Sequence, residues 1–134
     1  MMKMNKIIVG LFLLISVISC AQTVDSNELF KNETVLKLNI HQSDTVLIDN
    51  SIDLEINSPK IKELQNWIDN NKTDWKNSIA SFAQPSISVI GKDFRLLIFK
   101  DFVVIGYTDK NNKQRQITKQ IDSREFEFLI DKKQ

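Results

Sequence analysis

The sequence contains one cysteine, Cys20, and one histidine, His41. A cysteine–histidine or serine–histidine–acid site needs its histidine within hydrogen-bond reach of the nucleophile. His41 alternates with Lys37 and Asn39 on the polar side of an expected strand, so we expect it to be solvated. Zinc sites in proteins use three or four nitrogen, sulfur or carboxylate ligands. The sequence therefore indicates neither a nucleophilic catalytic site nor a familiar zinc site.

The clustered carboxylates suggest turns rather than ligand sites. Residues 49–53 and 109–111 contain several oxygen ligands, but neither stretch has the glycine and the closing glutamate that a calcium-binding EF-hand loop requires. The three glycines are scattered and form no phosphate-binding loop. A carboxylate pair for glycoside cleavage would have to form in space, and each candidate also suits a polar surface: Glu55, Glu63, Asp69 and Asp93. We therefore expect no catalytic residue, metal or cofactor.

The net charge argues against nucleic acid as a partner. The 134-residue chain carries 18 basic and 17 acidic residues, a formal charge of +1. Removing Lys3 and Lys6 with a signal segment leaves 16 basic and 17 acidic residues, or −1. Proteins that bind nucleic acid usually carry a basic patch that neutralises phosphates.

The first 20 residues predict export and lipid attachment. Lys3 and Lys6 precede an apolar run from Ile7 to Ile18, which is typical of a secretory signal and shorter than the roughly 20 residues of a membrane span. The following Val17-Ile18-Ser19-Cys20 resembles the lipobox of bacterial lipoproteins. That resemblance implies a signal peptide over residues 1–19 and acyl chains on Cys20 that hold the protein on a membrane. Ala21, by resemblance to the enteric sorting pattern, favours the outer membrane or cell surface over the inner membrane.

Ordinary secretion is the alternative for this segment. Ser19 and Ala21 also satisfy the small-residue rule for cleavage after Ala21, which would give a soluble periplasmic or secreted protein. In either case residues 22–33 are mostly polar, with Leu29 and Phe30 as their only apolar pair, and we expect residues 20–33 to form a tether in which Phe30 is the first core residue. Residues 34–134 then form a single domain.

The stretch Phe94–Tyr107 predicts a central β-hairpin. Two apolar runs flank Lys100-Asp101, so these two residues are expected to form the loop, with Ile98 opposite Val103. One face of this hairpin is apolar throughout and should lie on the core.

The other face of the hairpin is also mostly apolar. If the C-terminal helix covers the same face as the main helix, this other face stays open and, with Trp75, supplies the candidate partner surface: Leu97, Phe99, Phe102, Val104 and Trp75. If the C-terminal helix covers the other face, the hairpin is the buried centre of the domain. Because Lys100-Asp101 lacks the Asn-Gly or Asp-Gly signature, a different turn would shift the register and reassign these faces.

The remaining pattern predicts an α+β domain of order βββα(α)ββββα. Strands are expected over residues 36–40, 46–48 and 52–56, followed by a helix from Ser58-Pro59 to Asn70-Asn71. Trp75, Ile79 and Phe82 have helical spacing and predict a short second helix. Further strands form a meander, and a capping-box sequence at residues 122–125 begins a C-terminal helix. Short turns between consecutive strands favour an antiparallel sheet with helices on one face.

Three functions fit this sequence. We expect a non-enzymatic binding module of the cell envelope, acting as an inhibitor or adaptor for another protein and held on the membrane through Cys20. A small envelope hydrolase or carbohydrate-active protein using scattered carboxylates is the first alternative. A purely structural envelope protein is the second.

Overall fold

Short runs of alternating apolar and polar residues produce a seven-stranded β-sheet. The computed structural model describes residues 23–41 and 50–130. The strands in these residues, numbered in chain order, are β1 Val35–Ile40, β2 Asn50–Glu55, β3 Lys76–Asn77, β4 Ile87–Ile90, β5 Phe94–Ile98, β6 Phe102–Thr108 and β7 Gln114–Gln120. All neighbouring strands are antiparallel, in the order β2-β1-β4-β5-β6-β7-β3.

Three helices accompany the sheet in the described residues. They are α1 Ser26–Phe30, α2 Pro59–Asn70 and α3 Glu127–Ile130, the last preceded by a 3-10 turn over Ser123–Phe126. The predicted α+β class, with an antiparallel sheet, a main helix and a C-terminal helix, is confirmed. The predicted capping box is confirmed as well. The Asp122 side chain accepts a backbone amide of the turn, and the Glu125 side chain accepts the backbone amide of Asp122.

The central hairpin has the predicted register. Phe94 pairs with Tyr107 and Ile98 pairs with Val103, and the Phe99 amide donates to the Phe102 carbonyl oxygen at 2.9 Å across the two-residue loop. Among the described residues other than glycine, only Asp74 and Asn112 have positive φ. The loop is therefore neither type I′ nor type II′, since both need positive φ in the loop.

The helices cover one face of the sheet. Ile61, Leu64 and Ile68 of α2 are fully buried, as are Phe126 and Leu129 at the C-terminal end. They belong to one core with inward-facing strand residues that include Leu38, Val89, Leu96, Ile105 and Ile117. The main helix and the C-terminal helix thus share a face, and we call the opposite side of the sheet the open face.

The folded domain begins earlier than the sequence pattern predicted. Val24, Leu29 and Phe30 are buried in the core, and the Phe30 ring lies 4.7 Å from the Phe94 ring. The Val24 amide donates to the Lys72 carbonyl oxygen at 3.1 Å. The segment expected to be a tether therefore contains a docked helix, because its few apolar side chains all find core partners.

The predicted short second helix is wrong. Residues 76–77 form β3 at the edge of the sheet, and residues 78–86 have no regular structure apart from a bend at Ser86. In a helix, the spacing of Trp75, Ile79 and Phe82 would place these side chains on one face, but in the structure they have different environments. Trp75 is fully buried, Ile79 is fully exposed, and Phe82 is half-buried against the open face.

Two other expectations concern the region around β2. The strand predicted over residues 46–48 lies outside the described residues. β1 pairs directly with β2, with Leu38 opposite Ile52. Asn50 and Ser51, which were expected in a turn, are the first two residues of β2.

Candidate functional site

A segment of the chain crosses the open face. β3 lies beside β7 at one edge, whereas β4 lies between β1 and β5, so residues 78–86 must pass over three strands to join them. Gln116 of β7 donates from Nε2 to the Ala80 carbonyl oxygen at 2.8 Å, which ties down the start of this crossing segment. At its end, the Ser86 amide donates to the Ile98 carbonyl oxygen at 3.0 Å.

The structure divides the predicted partner surface. Leu97, Phe99 and Phe102 are half-buried on the open side, and Val104 is fully buried on β6. Trp75 is also fully buried, but on the helix side, where its Nε1 donates to the Asn71 carbonyl oxygen at 2.6 Å. Val104 and Trp75 are therefore parts of the packed interior, and only the first three side chains are accessible.

Three phenylalanines form a cluster at the tip of the hairpin. The Phe99 and Phe102 rings are stacked, with centroids 4.5 Å apart and planes within 10°. Phe82 of the crossing segment packs against both, at 5.7 and 5.6 Å. Each of the three side chains is partly exposed. The sequence pattern did not identify Phe82 as a member, because a helix was expected there. We call Phe82, Phe99 and Phe102 the phenylalanine cluster.

An open cleft of about 510 Å³ adjoins this cluster. Its walls are residues 78–82 of the crossing segment on one side, and on the other Arg95, Leu97 and residues 114–116. Pockets that bind small ligands have volumes of roughly 300–1,000 Å³, so the cleft is large enough for one. The lining contains two arginines and no carboxylate.

Arg95 is held in place by its neighbours in the sheet. Its partner across the β5–β6 ladder is Gly106, and a Cβ atom at position 106 would lie 2.5 Å from the Arg95 Nε. The side chain therefore lies over the glycine. Its Nη2 donates to Gln116 Oε1 at 2.7 Å, and Gln116 also holds the crossing segment. The guanidinium group is thus oriented at the edge of the cleft.

The Asp109 carboxylate stabilises the turn that it begins. Asp109 Oδ1 accepts the amides of Asn111 and Lys113, both at 2.9 Å, and Oδ2 accepts Arg115 Nε at 2.8 Å. The hydrogen bond from Arg115 is the main reason that the pKa of Asp109 is lowered. The predicted turn at residues 109–111 is confirmed.

The other residues considered for chemistry lie apart from one another. His41 follows β1, and its Nδ1 is 2.9 Å from Gln84 Nε2 near the end of the crossing segment. Asp69 accepts the amide and the hydroxyl of Ser26, which fixes α1 to α2. In residues 23–41 and 50–130, no three side chains of histidine, cysteine, aspartate or glutamate are grouped so that they could hold a metal ion. Cys20 lies outside the described residues.

The comparisons with known proteins give no relative. No protein family model, no curated protein and no solved structure matches this chain. Among the helices in the described part of the chain, none has the length and apolar character needed to cross a bilayer.

Proposed function

We propose that this chain is an exported lipoprotein, held on a bacterial membrane by lipid on Cys20, and that its domain is a non-enzymatic binding module for a protein partner. The observation that carries the binding function is the phenylalanine cluster. Its three aromatic rings are partly exposed on the open face, and the fully exposed Ile79 lines the same cleft as Phe82. Aromatic side chains are enriched at the centres of protein interfaces, where they supply much of the binding energy.

The position of the first folded residue supports this arrangement. Cys20 precedes the buried Val24 by four residues, 24 − 20, so the link between lipid and domain spans at most about 14 Å. Val24 is joined to Lys72 beside α2, on the helix side of the sheet. An anchor on that side leaves the open face, with the phenylalanine cluster, free to meet a partner.

The binding function is tested with a pair of matched substitutions. Phe102→Asp places a charge in the cluster, and Ile130→Asp places the same charge on the exposed last residue of α3, on the helix side of the sheet. After crosslinking in the native envelope, the partner should be recovered with the wild type and Ile130→Asp and be lost with Phe102→Asp. Thermal unfolding of both variants establishes that each remains folded. Equal recovery with both variants would contradict the proposed surface.

The lipid anchor is tested separately. Cys20→Ala should move the protein from the membrane fraction to the soluble fraction and abolish labelling by a fatty-acid analogue. A variant with Ser19→Ala keeps a small residue before the cysteine and should behave as the wild type. Membrane association and labelling that survive Cys20→Ala would refute the anchor.

A further inference from the structure

We infer that the cleft beside the phenylalanine cluster binds a carboxylate that has an apolar group next to it, with Arg95 pairing the carboxylate. This inference rests on the proposed function, because it names the chemistry that the open face recognises. The ligand is a peptide or a small organic acid. Its carboxylate belongs either to a chain end or to an acidic side chain.

The cleft carries a positive charge that no neighbouring carboxylate balances. In the part of the chain that the structure describes, the ion pairs are Asp109–Arg115 and Asp122–Arg124, and Arg95 has no acidic partner. The Arg95 side chain is exposed and the cleft lining contains no carboxylate. An anion in the cleft would therefore meet one uncompensated positive charge and no acidic side chain.

The Arg95 side chain is held in place before any ligand binds. Gly106 leaves space for the arginine side chain, and Gln116 accepts one of its N–H groups. A guanidinium group presents five N–H donors in a rigid fork that matches a carboxylate, so several remain for a ligand. Because the guanidinium group is already oriented before a ligand binds, binding loses less conformational entropy.

Apolar side chains line the cleft next to Arg95. Leu97 and Phe82 line the cleft together with Arg95, and both are only half-buried. Leu97 follows Arg95 by two residues on the same face of β5. A carboxylate on Arg95 would thus place an adjoining apolar group against Leu97 and Phe82.

The experiment uses two probes that differ only in the acid group, N-acetyl-leucine and N-acetyl-leucinamide. The full-length protein in nonionic detergent carries ¹⁵N-arginine and ¹³C-methyl leucine labels. The chain has three arginines, so the Nε–H spectrum is simple, and Arg124 outside the cleft is an internal control. The acid should shift the Arg95 Nε–H and Leu97 methyl signals saturably, with a Kd on the order of millimolar for so small a ligand. The amide should bind at least about threefold more weakly, since it lacks the charge-assisted pair.

Two substitutions locate the preference on Arg95. With Arg95→Gln the acid and the amide should shift the Leu97 methyl signals with equal affinity. With Arg95→Lys part of the preference should remain, because the charge is kept without the fork. A preference that survives Arg95→Gln would overturn the inference, and so would the absence of a preference for the carboxylate both in this pair of probes and in the peptide pair that follows.

A second pair of probes identifies the source of the carboxylate. Acetyl-Asp-Leu-amide and acetyl-Ala-Leu-amide differ only in a side-chain carboxylate. A preference for the aspartyl peptide assigns the site to an acidic side chain, and a preference confined to N-acetyl-leucine assigns it to a chain end. Absence of both preferences overturns the inference.

The inference and the proposed function fail in different ways. If Phe102→Asp abolishes partner recovery while the probes show no carboxylate preference, the binding module stands and the carboxylate site does not. If the probes show the preference and no recovered protein depends on Phe102, the carboxylate site stands and the protein partner does not.

Discussion

Glu33 is the residue whose loss should most clearly reveal how the N-terminal helix is held. Its side chain is buried, with Oε2 accepting the Lys92 amide at 2.8 Å and Oε1 accepting the Asp93 amide at 2.7 Å. These bonds tie the end of the α1 segment to the turn between β4 and β5. Glu33→Gln keeps one acceptor oxygen and places an NH₂ group against the other amide.

The expected cost follows from these two bonds. A hydrogen bond to a charged group contributes about 1.5–3 kcal/mol, and Glu33→Gln removes one and converts the other to a neutral bond. Lys92 is an exposed residue, so water that reaches its amide would reduce the loss. We expect the free energy of unfolding to fall by about 2 kcal/mol, and Tm by about 8 °C for a domain of this size.

Urea unfolding followed by tryptophan fluorescence measures this change, because Trp67 and Trp75 both pack in the core. The midpoint should fall by about 1 M at an m value near 2 kcal/mol/M. Glu63→Gln, an exposed glutamate on α2, is the matched control and should change the stability by less than about 0.5 kcal/mol.

If Glu33→Gln lowers the free energy of unfolding by less than about 0.5 kcal/mol while α1 stays bound to the rest of the domain, the reasoning is refuted. Limited proteolysis detects detachment of α1, since a detached α1 is cleaved while the tryptophan signal stays native.

Three further outcomes are expected. Gly91→Ala should destabilise the protein, because its Cβ would collide with the Glu33 carboxylate and lie 2.5 Å from Leu36 Cδ2; the loss in urea unfolding should be smaller in a Glu33→Ala background, and equal losses would contradict the contact. The pKa of Asp122 is lowered to about 2, first by the Arg124 side chain, from an ordinary value of 3.8. Its ionised form therefore stabilises the fold above about pH 4, and that stabilisation is lost as the pH falls through about 2. Between pH 5 and pH 2 the wild type should lose more stability than Asp122→Asn, and parallel curves would argue against the ion pair. Leu64→Ala should cost about 2–5 kcal/mol in urea unfolding, since Leu64 is fully buried between helix and sheet, and a cost below about 1 kcal/mol would contradict that position.

The crossing segment shows where sequence patterns fail. Trp75, Ile79 and Phe82 have the spacing of a helix face, but Trp75 packs on the helix side of the sheet and Phe82 on the open side. Asp74, with φ of 69°, directly precedes the buried tryptophan. Local periodicity describes which residues share a face of one element, and it contains no information on which side of a sheet the chain will pass.

The hairpin shows the opposite case. Alternation along Phe94–Tyr107 and the two-residue loop predicted every pair in the ladder, from Phe94–Tyr107 to Ile98–Val103. A shift by one residue would have moved its apolar set away from the core, so burial specifies the register. The same reasoning predicted α2, where proline at the start and the apolar stripe agree with the observed helix.

The candidate site was predictable only in part. Alternation places Leu97, Phe99 and Phe102 on the face opposite Ile98 and Val103, but it does not say whether a helix covers that face. Arg95 and Gln116 were not expected to act together, since 21 residues separate them and their contact needs the β5–β6–β7 ladders to form. Phe82 joins the cluster only because the crossing segment returns over the sheet.

The sequence by itself determined the α+β class, the core stripe of α2 and the hairpin register, because each depends on neighbouring residues. Only the tertiary structure decided that α1 and Glu33 belong to the domain, that Trp75 and Val104 are buried, and that Arg95 faces an open cleft. Those properties depend on pairings between residues far apart in the chain, and local patterns do not contain them.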